Sequence, residues 1–561
     1  MLKHTNSSTS SSAPVASQDG GPATAEKGNA GFSSPSAKTL TISINGKEVE
    51  VKEGSTIIEA YYQNSVDIAH YCWHPGLSIA GVCRLCMVEI EGNPRLQIAC
   101  NTTVTAGMKV NNASAKVKEA VKWGLDFHLI NHPLDCPICD QAGECGLQDQ
   151  YMKYGQYDSE MGERKVKKHK VVDLGPRVVL DSERCILCSR CVRFTDEIPK
   201  THELGIFNRG DRAEIGTFEG KPLANNYSVN TIDICPVGAL TSRDFRFRQR
   251  VWFLKDAETI CTGCSTGCNV KVYYNKEGLF RMKPVYNPDV NGHWMCDQGR
   301  DVYKFVNKEV RLLDAKVVAN GRAEHMQAKE LAKRLGPTLK GAGKSAALVL
   351  TGSFTVEEYD AIVSYFKTEV GSTSIFHWIN NPETFESFDG ILYRGDKNPN
   401  TRGLMEVLKT NGIGGSWKEL IDGIGTGAFK TVVVAGPENQ ANFPDMKAKV
   451  AELSKAAKLV WLTSGTNEEL DALTGDVALL PVKSYIEKSG TFVNHAGLRQ
   501  KIERVTSIVP TALSLIEVVS AMRGENVTLD VTKDTAVAGH PPNKIGAGRI
   551  NNEFTSARGV W

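Results

Sequence analysis

Cysteine is absent from two long stretches of this 561-residue chain: none precedes residue 72, and none occurs in the 265 residues after 296. Whatever chemistry thiols perform is therefore confined to the middle of the sequence. An apolar run of the roughly 18 residues that spans a bilayer is also lacking; the longest, such as AALVLTG (346–352) and TVVVAG (431–436), are the size of buried strands. No excess of one charge exists, with 66 Lys and Arg against 64 Asp and Glu, so no global field draws the chain to nucleic acid or to an anionic membrane. Residues 1–38 are rich in Ser, Ala, Gly and Thr and have almost no large apolar side chains, which predicts a disordered tail. That segment lacks the apolar core of a secretory signal. It also lacks the arginines of a transit peptide, the first being Arg84, so a bacterial cytosolic setting is expected.

At roughly 100–200 residues per domain the length implies three to five modules. Fifteen cysteines lie between 72 and 296, and an odd count without an export signal argues for ligation rather than structural disulfides. The first group is Cys72, Cys83, Cys86 and Cys100, spaced C-x10-C-x2-C-x13-C. It follows two alternating segments, LTISI (40–44) and EVEVK (48–52), joined by Asn45-Gly46, a strong tight-hairpin signal. STIIEAYYQ (55–63) then predicts a short helix with Ser55 as N-cap. Strand, turn, strand, helix and cysteine loop suggest a β-grasp ferredoxin holding a two-iron cluster, although the ten-residue first gap departs from the plant-type spacing.

The second group, in NHPLDCPICDQAGEC (131–145), is His132, Cys136, Cys139 and Cys145. Three thiolates and an imidazole suit either a Cys3His zinc site or an iron–sulfur cluster of raised potential. His128 competes for the imidazole position; Pro133 favours His132 by stiffening its link to the cysteine loop. The third group is Cys185, Cys188 and Cys191 in ERCILCSRC, completed by Cys235-Pro236 in DICPVGAL. In two-cluster ferredoxins each C-x2-C-x2-C-x3-C-P run lends its fourth cysteine to the other cluster. Here Thr195 replaces the fourth cysteine of the first run, and Asn225, Ser228 and Thr231 replace the first three of the second. One complete four-iron site is left. The fourth group is Cys261, Cys264, Cys268 and Cys296, and with it every cysteine is assigned.

Beyond residue 300, helical segments (EHMQAKELAKRL, 324–335; EEYDAIVSYFKTEV, 357–370) alternate with apolar strands (AALVLTG, TVVVAGP, AKLVWLT), predicting an α/β domain with a largely parallel sheet. LKGAGKS (339–345) and DGIGTGAF (422–429) look like phosphate loops but lie between a helix and the next strand, where glycines end helices. The run RKVKKHK (164–170) could face an acidic partner, but a solvated surface is the expected reading. No nucleophile–base pair or paired carboxylates stand out.

Together the four groups, with GVCRLCMVEI, NHPLDCPICDQAGECGLQDQ, ERCILCSRCVRF, DICPVGAL and GTFVNHAGLRQ (490–500), closely resemble the large iron–sulfur subunits of respiratory complex I, the NADH:quinone oxidoreductase. The resemblance is nearly continuous from about 39 to 310 and looser to about 505. It implies an α+β multidomain chain of seven stretches: a tail (1–38); a [2Fe–2S] β-grasp ferredoxin domain (39–115); a His/Cys3 [4Fe–4S] module (116–160); a ferredoxin-like [4Fe–4S] domain (161–250); a molybdopterin-oxidoreductase-type [4Fe–4S] domain (251–310); a degenerate molybdopterin-oxidoreductase-like α/β domain (311–545); and a second tail (546–561). It assigns the imidazole ligand to His132. The fourth group and the α/β region are similar to parts of formate dehydrogenases, but the lack of any cysteine after Cys296 implies that the pterin is lost. The expected cofactors are one [2Fe–2S] and three [4Fe–4S] clusters, without flavin or molybdopterin. The expected partners are an NADH-oxidising FMN and iron–sulfur subunit, a small [2Fe–2S] subunit and quinone-module subunits, on the cytoplasmic face of a bacterial membrane. The resemblance makes the first three clusters part of the electron route and leaves the fourth off it. Three rivals are a catalytic formate dehydrogenase, the diaphorase part of an NAD-reducing hydrogenase and a zinc scaffold.

Overall fold

The computed structural model describes residues 38–529 apart from 157, 159, 160 and 308–310; residues 1–37 of the expected tail 1–38, residues 530–545 of the expected domain 311–545 and all of the expected tail 546–561 lie outside the described residues. Strands Thr39–Ile44 and Lys47–Lys52 pair antiparallel across Asn45-Gly46, both in the left-handed region with φ 54° and 85°. The first runs parallel to Lys109–Asn111, which pairs with Met87–Ile90 and through it Gln97–Ile98, completing a five-stranded sheet. Helix Ile57–Gln63 buries Ile57, Ile58 and Tyr61 in one core with Ile42, Ile44, Val51, Cys86 and Cys100. Its N-cap is Thr56, not Ser55. Glu59 stands three residues after Thr56 and closes a capping box with it, which Ser55 cannot do.

Helices Ala115–Leu129 and Gly146–Tyr154 flank the second cysteine group. A small sheet (Leu240–Ser242, Val178–Leu180, Val172–Asp173), helix Arg190–Glu197 and the short helix Asn230–Asp233 carry the third. The fourth lies at the edge of a three-stranded antiparallel sheet formed by Lys255–Ile260, Asn269–Asn275 and Gly278–Pro284. Among the described residues no helix is long and apolar enough to cross a membrane.

The C-terminal region is a seven-stranded sheet in the order Arg322–Met326, Ala315–Ala319, Val477–Pro481, Lys458–Thr463, Thr431–Ala435, Ala346–Leu350, Ile375–His377. Its last five strands are parallel and the first two antiparallel. Leu348, Leu350, Val433 and Ala435 face one buried core, while Ala347, Val349, Val432 and Val434 face another. Continuous apolar runs are what a strand covered on both faces requires. The expectation of a helix starting at 324 is corrected: residues 322–326 form an edge strand, and the helix is Ala328–Ala342. The two phosphate-loop look-alikes close helices Ala328–Ala342 and Trp417–Gly425 ahead of strands.

Candidate metal centres

The loop between helix Ile57–Gln63 and strand Met87–Ile90 brings Cys72, Cys83 and Cys86 toward Cys100, on the turn Ala99–Asn101; all four are buried. Cys72 and Cys83 are close enough to interact, as are Cys86 and Cys100. The Tyr71 N–H donates to Cys83 Sγ at 3.4 Å.

His132, Cys136, Cys139 and Cys145 line one surface cavity of about 1770 Å³. Cys139 and Cys145 are buried while Cys136 is exposed. His132 Nδ1 is buried without a hydrogen-bond partner. Burial, reinforced by the charges of Arg184 and Lys165, lowers its imidazole pKa to about 4, favouring the neutral form that can ligate a metal. His128 is outside that cavity: its Nδ1 meets the Gly124 carbonyl at 2.6 Å and its ring packs edge-on against Tyr71. The basic run 164–170 is neither a simple solvated face nor a free acidic-partner patch. Lys165 Nζ donates to the Leu129 and Ile130 carbonyls at 3.0 and 2.9 Å, and the Val166 N–H to Asn131 Oδ1 at 2.9 Å. Lys170 pairs with Asp135 at 2.6 Å. The run is a strap that holds the segment on both sides of His132.

Cys185, Cys188 and Cys191 curl through two non-glycine left-handed residues, Leu187 (φ 54°) and Ser189 (φ 61°), a conformation a loop adopts only where its surroundings hold it there. Cys235 arrives from the end of helix Asn230–Asp233. Burial pushes the Cys185 thiol up to about 12 and Cys235 to about 11. Buried thiols become thiolates where a cation offsets the lost hydration, which is what iron supplies. Three of the four positions where a second ferredoxin cluster would need cysteines carry buried polar side chains. Ser228 Oγ donates to Asp297 Oδ2 at 2.5 Å and Thr231 Oγ1 to the Ser228 carbonyl at 2.6 Å; Thr195, Ser228 and Thr231 are all buried. Ser228 and the Val229 N–H thus tie this segment to Asp297, the residue beside Cys296.

Cys261, Cys264, Cys268 and Cys296 are buried around a narrow cavity of about 330 Å³ that all four line. N–H groups of Gly263 and Gly299 donate to Cys261 and Cys296 sulfurs at 3.4 and 3.2 Å. The GTFVNHAGLRQ stretch forms a hairpin, Gly490–Val493 with Arg499–Ile502, that closes over this loop: the His495 N–H donates to the Ser265 carbonyl at 2.9 Å and Asn494 Nδ2 to that of Thr266 at 3.4 Å.

Neighbouring groups interlock. The Gly146 N–H donates to the Pro236 carbonyl at 2.9 Å, joining second to third. Arg193 donates to the carbonyls of Cys72 and Cys188, and the buried Arg190 to those of Trp73 and Ile234, joining first to third. Residues of the first three groups share one apolar cluster. Among the described residues no three His, Cys, Asp or Glu side chains converge tightly enough to hold a single metal ion. Ligands of a polynuclear cluster need not, because they are divided among several irons. The donor set fits such clusters: two sets of four buried thiols, N–H groups directed at sulfur and, in the cavity lined by three further cysteines, a histidine with an unpartnered ring nitrogen. Sequence reasoning missed Gly238 and Arg184, which line the second group's cavity from the third motif.

Four family models match consecutive segments: a 2Fe-2S iron-sulfur cluster binding domain (37–115), the NADH-ubiquinone oxidoreductase-G iron-sulfur binding region (124–160), the ferredoxin-like domain of NADH-quinone oxidoreductase subunit 3 (175–241) and the molybdopterin oxidoreductase Fe4S4 domain (254–308). The chain is thus a multidomain iron–sulfur protein with 2Fe–2S and 4Fe–4S cluster-binding domains. More particularly, it is homologous to the G subunits of NADH-quinone oxidoreductases and the related 75 kDa subunits, as the motif resemblance implied. The G subunit from Streptomyces coelicolor is 36% identical over 344 residues, 61% of this chain and 41% of that one. The mitochondrial NADH dehydrogenase [ubiquinone] iron-sulfur protein 1 of Solanum tuberosum is 36% identical over 60% of this chain and 46% of its own length. The 75 kDa subunit of Reclinomonas americana is 40% identical over 50% of this chain and 41% of its own length. The aligned part therefore spans half or less of these relatives. A crystal structure of an NAD+-reducing [NiFe]-hydrogenase aligns with a TM-score of 0.35 at 27% identity, covering 38% of this chain and 91% of that one.

Proposed function

We propose that this chain is the electron-transfer subunit of an NADH:quinone oxidoreductase, carrying single electrons from a flavin-bearing, NADH-oxidising partner toward a quinone-binding one. The observation that carries this reading is the division of all fifteen cysteines and His132 into four sets, three of them locked to one another through shared backbone contacts. Cys72, Cys83, Cys86 and Cys100 would hold a [2Fe–2S] cluster. His132 with Cys136, Cys139 and Cys145, the set Cys185, Cys188, Cys191 and Cys235, and the set Cys261, Cys264, Cys268 and Cys296 would each hold a [4Fe–4S] cluster. When bound, these clusters supply one-electron redox chemistry. The protein's share is to bury the sulfurs, aim N–H donors at them and keep His132 neutral and oriented.

Trp123, Phe127, Ile130 and Leu134 are exposed and line the same cavity as the exposed Cys136. An apolar patch of this kind beside a ligand suits contact with another subunit. The partners implied are those of complex I, with the chain peripheral on the cytoplasmic side of a bacterial membrane. The crevice outside strands Ala346–Leu350 and Thr431–Ala435, where an open α/β sheet binds ligands, is lined by Ser353, Asn398, Glu438 and Asn439. Beside it the buried Lys488 is paired with Glu358 and Glu438, each at 2.9 Å.

Electron paramagnetic resonance of the purified complex, titrated anaerobically with NADH, tests the reading. Spectra of one two-iron and three four-iron clusters, with those of the electron route reduced by NADH, are expected. Formate turnover with bound molybdenum, or a nickel–iron partner, would move the assignment to the rival enzymes.

A further inference from the structure

Arg184 immediately precedes Cys185 of the third group, yet its side chain lines the cavity of the second, with His132, Cys136, Cys139 and Cys145. Its side chain is only 6% exposed. Nε and Nη2 reach Asp135 Oδ2 at 3.1 and 2.9 Å, and Nε reaches Asp181 Oδ2 at 3.3 Å. A Cβ at Gly238 would overlap Cys139 Sγ and lie 3.8 Å from Arg184 Cδ, so sulfur and arginine flank the same glycine. Both carboxylates are shared with Lys170, which contacts Asp135 at 2.6 Å, Asp181 at 3.3 Å and Glu183 at 2.8 Å. With Lys167 reaching Glu183 at 3.7 Å, three carboxylates face three cations here, and neither Asp135 nor Asp181 belongs to Arg184 alone.

Resting on the function proposed above, we propose that Arg184 is a potential-setting residue for the His132/Cys136/Cys139/Cys145 cluster, with Asp135 as its moderator. A guanidinium cannot release its proton in a protein, so its charge is fixed. One-electron reduction adds negative charge to the cluster, and a buried cation stabilises that state more than an exposed one because solvent screens it less. Arg184 therefore raises the reduction potential of this site, and the Asp135 carboxylate beside it opposes the rise. The third motif thus supplies both its own thiolates and the counter-charge of its neighbour.

The test is a dithionite and mediator redox titration of the intact complex, followed by paramagnetic resonance, on Arg184→Gln, Arg184→Lys and Asp135→Asn. The expected result is a lower midpoint for the His/Cys3 cluster in Arg184→Gln, a midpoint near the unmodified one in Arg184→Lys and a higher midpoint in Asp135→Asn. An assembled cluster whose midpoint is unmoved in Arg184→Gln, or one that falls in Asp135→Asn, overturns the proposal. If Arg184→Gln fails to assemble the cluster, the direction in Asp135→Asn decides. A total lack of this cluster in the unmodified protein would overturn the functional reading itself, which separates the two failures.

Discussion

The space that a Cβ would occupy at Gly238 is already filled by the sulfur of Cys139, 99 positions earlier in the chain. Gly238 belongs to DICPVGAL, the motif that supplies Cys235, so one cysteine group is shaped by another group's loop. Gly238→Ala should displace Cys139 or the loop, with an overpacking cost of about 1–3 kcal/mol. Iron content should fall by about four per chain, the complement of one cubane, while the other cluster spectra persist. Metal analysis with paramagnetic resonance on the variant checks this; full iron content would show that the glycine is not needed.

Arg311 and Glu487 form a wholly buried pair at 2.7 Å, with side chains 0% and 1% exposed. Glu487 also accepts from the N–H groups of Ser484, Ile508 and Val509 at 2.9, 2.7 and 2.8 Å, and Arg311 donates to the Ser464, Val306 and Val482 carbonyls. Removing one partner strands a charge where water cannot reach it. Glu487→Ala should lower unfolding free energy by about 3–5 kcal/mol, read as a lower urea midpoint by circular dichroism.

Asp396 is buried, and burial pushes its carboxyl up to about 6 although Asn398 and Thr401 donate to it at 3.1 and 3.0 Å. A folded-state value above the unfolded one means a contribution to stability that is complete below about pH 4 and is lost as pH rises through 6. Asp396→Asn keeps the Oδ1 acceptor and removes the titration. The variant should be more stable than the unmodified protein at pH 7.5, by at most roughly 3 kcal/mol, and close to it at pH 4. Urea unfolding at both pH values measures the difference; a gain that is equal at both would contradict the assignment.

Much of this was legible from local pattern. The cysteines sort into sets by spacing alone, Asn45-Gly46 announces its hairpin and the buried strands show as apolar runs. The helix expected from 324 is instead the strand of a second Asn-Gly hairpin at 320–321, where φ is 50° and 73°, so the same turn chemistry marks both hairpins. What could not be read depends on contacts between distant positions. Lys165 holds carbonyls 35 and 36 residues away, Arg184 reaches Asp135 across 49 and Gly238 yields to Cys139. Composition made 164–170 look like a charged face because a lysine's partner is set by the fold. His128 and His132 sit four residues apart, and only their surroundings separate them: one ring bonded to its own helix, the other with an unpartnered nitrogen and a place in the lining of the cavity shared by Cys136, Cys139 and Cys145.

The most direct test is anaerobic metal and acid-labile sulfide analysis of the purified chain. Clusters in all four cysteine groups require about 14 irons per chain, a similar number of labile sulfides and no stoichiometric zinc. About four zincs per chain without sulfide would contradict the account, because it would make these groups structural clamps rather than carriers of electrons.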